Sequence, residues 1–151
     1  MKIIEQIGSI FDCEENILVN PVNCVGVWGA GLARQFADKF PKTYKQYLVE
    51  YRAGFLRPGY CVVHDENDKA VVCLPTKDHW RDPSKLEYIR WGMHFLLSNA
   101  FGEEVNKDTM QIAMPKLGCG LGGLNWKDVS GVLKEFDQTY PDVHLFVYDT
   151  K

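Results

Sequence analysis

The chain has 151 residues, 46% hydrophobic and 13% aromatic, enough apolar material for one buried core and too little length for two full domains. Its formal net charge of −3 excludes broad wrapping of nucleic acid, which depends on many Lys and Arg neutralising phosphates, so an anionic ligand has to be held by local dipoles. No run of eighteen apolar residues exists, and Met1-Lys2-Ile3-Ile4-Glu5 is too short and too polar for a signal-peptide core; one cytoplasmic domain over 1–151, with no membrane contact, is expected.

Strands are predicted at Ile3–Ile7, Ile17–Val22, Tyr60–His64, Ala70–Leu74, Gln111–Met114 and His144–Tyr148, short apolar runs rich in β-branched residues. Glu66-Asn67-Asp68 predicts a hairpin turn between the third and fourth. Helical spacing appears in Leu32, Phe36 and Phe40, in Tyr44, Tyr47, Leu48 and Tyr51, and in Leu86, Ile89, Met93, Leu96, Leu97 and Ala100. For this third helix, Asp82 is the predicted N-cap and Pro83 the first helical residue. A last helix is predicted from about Trp126 to Phe136. The alternation of strands and helices implies an α/β fold, a mixed central sheet between helices, with ligands beyond the carboxyl ends of the strands.

Two of those ends are rich in glycine. After the second strand, Asn23-Cys24-Val25-Gly26-Val27-Trp28-Gly29-Ala30-Gly31 leads into a helix. Its glycines let backbone N–H groups approach a ligand without Cβ interference, and the helix N-terminus adds partial positive charge. After the fifth strand, Pro115-Lys116-Leu117-Gly118-Cys119-Gly120-Leu121-Gly122-Gly123-Leu124 repeats the arrangement. Neither loop carries the Gly-Lys-Ser/Thr of a Walker A loop or a completed Gly-x-Gly-x-x-Gly with a later acid. One such loop is as well explained by a tight turn; two at equivalent places form a cradle for the two phosphates of a diphosphate. The cysteines Cys13, Cys24, Cys61, Cys73 and Cys119 are odd in number and scattered, without Cys-x-x-Cys or a His at ligand spacing, which predicts free thiols, no zinc and no cofactor.

Together with Gly8-Ser9-Ile10, Asn20-Pro21-Val22-Asn23 and Leu74-Pro75-Thr76-Lys77-Asp78-His79-Trp80-Arg81, these loops resemble the macrodomain family over essentially the whole chain. The similarity is nearest to the branch of DNA ADP-ribosyl glycohydrolase antitoxins and terminal ADP-ribose protein glycohydrolases; ADP-ribose 1″-phosphate phosphatases share the Asn-Cys and Trp-Gly-x-Gly part. The resemblance implies a three-layer α/β/α fold that binds ADP-ribose. It places Ser9 and Ile10 at adenine, where family members commonly have Asp before Ile or Leu, and Tyr148 as an aromatic flanking the base, a position an ordinary core tyrosine would also fill. It puts Gly29, Ala30, Gly31 and Leu32, and Gly118, Cys119, Gly120, Leu121, Gly122, Gly123 and Leu124, around the diphosphate and distal ribose. Asn20 and Thr76 join this set, although Pro21 after Asn20 suits a structural amide.

The resemblance makes Lys77 the first catalytic candidate, within a Pro-Thr-Lys-x-His-Trp segment. A lysine amine in a low-dielectric pocket can act as nucleophile or base toward an anomeric carbon, and the sequence leaves both roles open. Some terminal glycohydrolases pair this lysine with an aspartate where this chain has Gly122. Asn23 is the second candidate, as an amide that orients a ribose hydroxyl or a water; the alternative is an amide that closes its own turn. His79, Trp80 and Arg81 offer a stacking and charge platform for an attached base or peptide. Cys119, with no nearby His, is not read as a nucleophile. The function expected is removal of ADP-ribose from modified nucleic acid or protein without a metal; the rivals are a non-catalytic ADP-ribose reader and a 1″-phosphate phosphatase.

Overall fold

A computed structural model of the chain describes residues 1–98 and 110–149. In chain order the elements are β1 (Lys2–Ile7), β2 (Ile17–Val22), α1 (Gly31–Lys39), α2 (Pro41–Arg52), β3 (Val62–Glu66), β4 (Lys69–Pro75), α3 (Leu86–Ser98), β5 (Gln111–Pro115), α4 (Trp126–Lys134) and β6 (His144–Asp149), with a short 3-10 turn at Ile10–Asp12. The six strands form one sheet in the order β1-β6-β5-β2-β4-β3. All neighbouring pairs are parallel except β3 with β4. Asn67 and Asp68 make that one reversal, both with positive φ (53° and 61°), a conformation that Asn and Asp tolerate better than other side chains.

Alternation along the strands divides the interior into two cores. Leu18, Val71, Cys73 and Ala113 meet Phe36 of α1, Tyr47 of α2 and Phe40 between the two helices. Val19, Val72, Leu74, Ile112 and Met114 meet Ile89, Met93 and Leu96 of α3 and Val129 and Leu133 of α4. The architecture is therefore the three-layer α/β/α arrangement expected. No helix of the described residues is long and apolar enough to cross a membrane.

β1, β4, β5 and β6 extend one residue beyond the sequence reading at one or both ends, and three elements differ from it by more. β3 runs two residues later, because the Tyr60 amide closes a turn onto the Arg57 carbonyl and Glu66 pairs with Lys69. The third helix begins at Leu86, not after Asp82: Ser84 N–H donates to Gly122 O (3.0 Å) and Lys85 N–H to Thr76 O (3.1 Å), so this stretch is recruited to the neighbouring loops before it can start a helix. The last helix ends at Lys134, and Phe136 follows in a turn with its amide on Leu133 O. The predicted core position Ala100 lies outside the described residues.

Candidate functional site

Because β1, β6, β5, β2 and β4 run parallel, their carboxyl ends lie along one edge of the sheet in that order. Four strand spacings of about 4.8 Å make this edge about 19 Å long. Ser9 and Ile10 follow β1, Tyr148 is near the end of β6, one glycine loop follows β5, the other follows β2, and Thr76 and Lys77 follow β4. Two adjoining cavities occupy the edge. One, of about 370 Å³, is lined by Gly8, Ser9, Ile10, Gln35, Cys119 and Tyr148 among others. The second, of about 540 Å³, is lined by Asn23, Val27, Gly29, Ala30, Thr76, Lys77, Trp80 and Gly122 among others. Leu32, Pro115, Lys116 and Gly120 belong to both walls, so the cavities form one cleft whose waist lies between the two glycine loops.

The β2–α1 loop supplies the waist with an open helix end. Ala30 is the N-cap of α1, and no side chain caps the helix. The first amides of a helix lack intrahelical acceptors and carry the positive end of its dipole, which here faces the cleft at Gly31, Leu32 and Ala33. Behind the loop, Asn23 closes the turn: its Nδ2 donates to Val27 O (2.7 Å), and its Oδ1 accepts from the Val25 amide (3.0 Å). The Tyr47 hydroxyl donates to Asn23 O (2.7 Å) and accepts from the Gly26 amide (3.1 Å). Gly26 has φ +79° and stands against the Tyr51 ring, where a Cβ would come within 2.9 Å. The Asn23 amide thus holds the loop while lying on the cleft wall.

The β5–α4 loop is held by packing. Gly118 has φ +72°, and its carbonyl accepts from the Leu124 amide (2.9 Å). A Cβ on Gly122 would lie 2.1 Å from Ser84 Oγ and 2.5 Å from Gly118 O, so no side chain fits there without rebuilding the loop. Gly120, by contrast, has nothing within 4 Å of a Cβ. The helix after this loop is closed, since Asn125 Oδ1 accepts from the Lys127 amide (2.8 Å); residues of the loop, not the α4 terminus, line the cleft.

At the β4 end of the edge, the β4–α3 loop is strapped to both. The Thr76 amide donates to Val22 O (3.0 Å) and the Cys24 amide to Asp78 O (2.9 Å). Ser84, buried, donates its hydroxyl to Thr76 Oγ1 (3.3 Å). Lys77, half-buried, donates from Nζ to Trp80 O (3.3 Å). No carboxylate among the described residues pairs with it, and the aspartate that some terminal glycohydrolases carry in the second loop has no room at Gly122.

At the other end, Ser9 turns its hydroxyl to the Phe11 amide (3.2 Å), and Tyr148 donates to Glu15 Oε1 (2.6 Å). Burial and that carboxylate both raise the Tyr148 pKa, keeping the hydroxyl a donor. Lys116 Nζ sits 3.3 Å from Asp149 Oδ2. All five cysteines are free. Burial raises the pKa of Cys119 despite nearby Lys116, and burial pushes that of Cys24 up to about 12.

The cleft unites most of the residues the sequence singled out. Asn20 is off its wall, fully buried on β2 opposite Cys73, because alternation puts this strand position on the face of Leu18 and Val22, covered by the α1/α2 layer. Gly123 and Leu124 are off it too: Leu124 packs against the α3/α4 core as the loop turns into α4. Ser84, Val27, Lys116 and Tyr47 escaped the sequence reading. Val27 and Lys116 lay within the two glycine loops and Tyr47 on the predicted face of α2, but nothing local marked Ser84.

A model described as Macro domain matches residues 19–133. A DNA ADP-ribosyl glycohydrolase of Mycobacterium tuberculosis is 38% identical over 145 residues, 93% of this chain but 40% of that protein's length. An ADP-ribose 1″-phosphate phosphatase of Candida albicans is 29% identical over 85% of this chain and 86% of its own. Among solved structures, the macrodomain of M. tuberculosis DarG superposes with TM-score 0.87 at 36% identity, covering 99% of this chain and 98% of that one. The Thermosipho africanus DarTG in complex with ADP-ribose gives TM-score 0.84 at 25% identity over 98% of this chain and 42% of its own. Matched over most of its length, and with a cleft running along the parallel strand ends, the chain belongs to the Macro domain family.

Proposed function

We propose that this protein binds ADP-ribose along the cleft and hydrolyses its bond to a modified nucleic-acid base. Adenine lies by Ser9, Ile10 and Tyr148, the diphosphate at the waist, and the distal ribose beside Asn23, Thr76 and Lys77. The observation that carries this reading is Lys77 at the far end of the same cleft, free of any carboxylate partner among the described residues. Close packing at Gly122 supports a lysine acting without an aspartate, which favours the nucleic-acid reaction over the protein-glutamate one. In the reaction the bond from the anomeric carbon to the base breaks, water oxygen takes its place, and the departing base gains a proton. Lys77 either attacks that carbon first or moves the proton and steadies charge around the leaving base.

The test is parallel incubation with ADP-ribosylated DNA, ADP-ribosylated protein and ADP-ribose 1″-phosphate, following free ADP-ribose. Release from DNA is expected, and Lys77→Ala should lower it at least about a hundredfold, as for a group acting mainly in the transition state. ADP-ribose affinity of that variant should stay within about tenfold. A wild-type protein that binds ADP-ribose and releases none would be a reader; release from the 1″-phosphate alone would favour the phosphatase reading, to which the C. albicans relative lends support.

A further inference from the structure

The smaller cavity, at the β1 and β6 end of the edge, is walled in part by polar side chains, and all but one of them already have a partner. Ser9 Oγ accepts from the Phe11 amide (3.2 Å), and the Tyr148 hydroxyl donates to Glu15 Oε1 (2.6 Å). Cys119 Sγ donates to Leu117 O (3.5 Å), and Lys116 Nζ lies 3.3 Å from Asp149 Oδ2. Gln35 is the exception. It lines the same cavity, stands exposed on α1, and its side-chain amide makes no hydrogen bond among the described residues. Helix spacing sets its place: Leu32 and Gln35 are three residues apart and so share one face of α1. Leu32 lies at the waist, on the wall of both cavities, and Gln35 follows about 4.5 Å further along the helix axis, away from the open N-terminus. A ligand whose phosphate sits at that terminus and whose base lies in the smaller cavity brings the base to Gln35.

We infer that Gln35 is a specificity-determining residue that reads the edge of the base: its carbonyl accepts from the N6 amino group of adenine and its Nε2 donates to N7. This rests on the proposed placement of adenine in the smaller cavity. A carboxamide presents one donor and one acceptor side by side, which matches the donor and acceptor on that edge of adenine. Hypoxanthine presents two acceptors there, so its O6 would face the amide carbonyl with no proton between them. Glutamines on a helix surface are ordinarily solvated and need no ligand. What separates Gln35 from that case is a cavity wall on which every other polar side chain is turned to protein. The same helix then does two things, holding phosphate with its open first amides and identifying the base one turn later.

The test compares ADP-ribose with inosine diphosphate ribose by titration calorimetry. The wild-type protein should prefer ADP-ribose at least about tenfold, within the range of one bidentate base contact. Gln35→Ala should bring the two affinities to within about threefold of each other. Gln35→Lys, which donates to both O6 and N7, should favour the inosine ligand. Each ratio is taken within one variant, so a change in stability, or in charge near the diphosphate, cancels. The inference is overturned if the wild-type protein binds both ligands equally, or if Gln35→Lys still prefers ADP-ribose. It is overturned too if the preference survives Gln35→Ala, which would give the base edge to Asp149 or to backbone amides. Equal binding of both ligands leaves the ADP-ribose reading standing, whereas a wild-type protein that binds neither sinks that reading together with this one.

Discussion

The two glycine loops look alike in sequence and are built on different principles. The β2–α1 loop is tied by hydrogen bonds from Asn23 and Tyr47 and ends in a helix whose first amides are left open. The β5–α4 loop is wedged by contacts, with Gly122 against Ser84 and Leu124 folded back on Gly118, and its helix is capped by Asn125. The first therefore offers an aligned dipole and the second a shaped loop surface. A ligand between them meets both, as a diphosphate with one phosphate on each side would require. Glycine content alone does not separate these roles; what each missing Cβ would touch does.

The largest effect should come from charge at the waist. Gly120 lines both cavities, and a Cβ there meets nothing within 4 Å, so Gly120→Glu should fold normally and still push a carboxylate at the diphosphate. ADP-ribose affinity should fall at least about a thousandfold, that is by about 4 kcal/mol, with the melting temperature of the free protein unchanged. Titration calorimetry showing intact binding by this variant would mean the loop is only a turn.

Next in size is a contrast within the same loop. Gly122→Ala should cost about 2 kcal/mol or more of stability, because overpacking against Ser84 Oγ and the Gly118 carbonyl cannot be relieved by a side chain alone. Gly120→Ala, two residues away, should leave stability within about 0.5 kcal/mol. Denaturant titration of the pair separates wedge from opening; equal midpoints would remove the distinction.

Smaller still should be the response of the first loop. Tyr47→Phe keeps the ring but strands the Gly26 amide and the Asn23 carbonyl, a loss of about 1–3 kcal/mol in stability. ADP-ribose affinity should fall less than about tenfold, since the open α1 terminus is untouched. Asn23→Ala should lower turnover by about tenfold, well short of Lys77→Ala, if the amide acts through the loop. A loss as deep as that of Lys77→Ala, with the loop intact by hydrogen exchange, would return Asn23 to the chemistry.

Much of this architecture could be read from local pattern. Strand runs, the Asn67-Asp68 reversal and the amphipathic spacing of α1 to α4 are short-range signals, and a mixed sheet between helices follows from their alternation, though the strand order does not. The two glycine loops were legible for the same reason, as each sits just past a strand end, whereas Ser9, Ile10, Tyr148, Thr76 and Lys77 were indicated by the family resemblance. What escaped depends on contacts between distant segments. Ser84 joins Thr76 of its own loop to Gly122 of the β5–α4 loop, and it delays α3 past an N-cap that Asp82-Pro83 advertises. Tyr47 reaches Asn23 from 24 residues away. Asn20 looked like a cleft residue because it adjoins the motif, yet the strand's two-residue period turns it inward.

The smallest expected effect tests the second loop's thiol. Cys119 lies on the adenine-side wall, at the right depth to tempt a nucleophilic reading. Its Sγ, however, donates to Leu117 O (3.5 Å), and burial holds its pKa above the ordinary thiol value, leaving little thiolate near neutral pH. Lys77 lines the other cavity, beyond the waist, so both groups cannot serve one anomeric carbon. Cys119→Ala should therefore leave release of ADP-ribose from DNA within about twofold, since a small side chain packed on the α3/α4 core at the adenine end contributes nothing special to the transition state. A hundredfold loss, with ADP-ribose affinity preserved, would move the reactive carbon to the other side of the waist and reverse the direction in which the ligand lies.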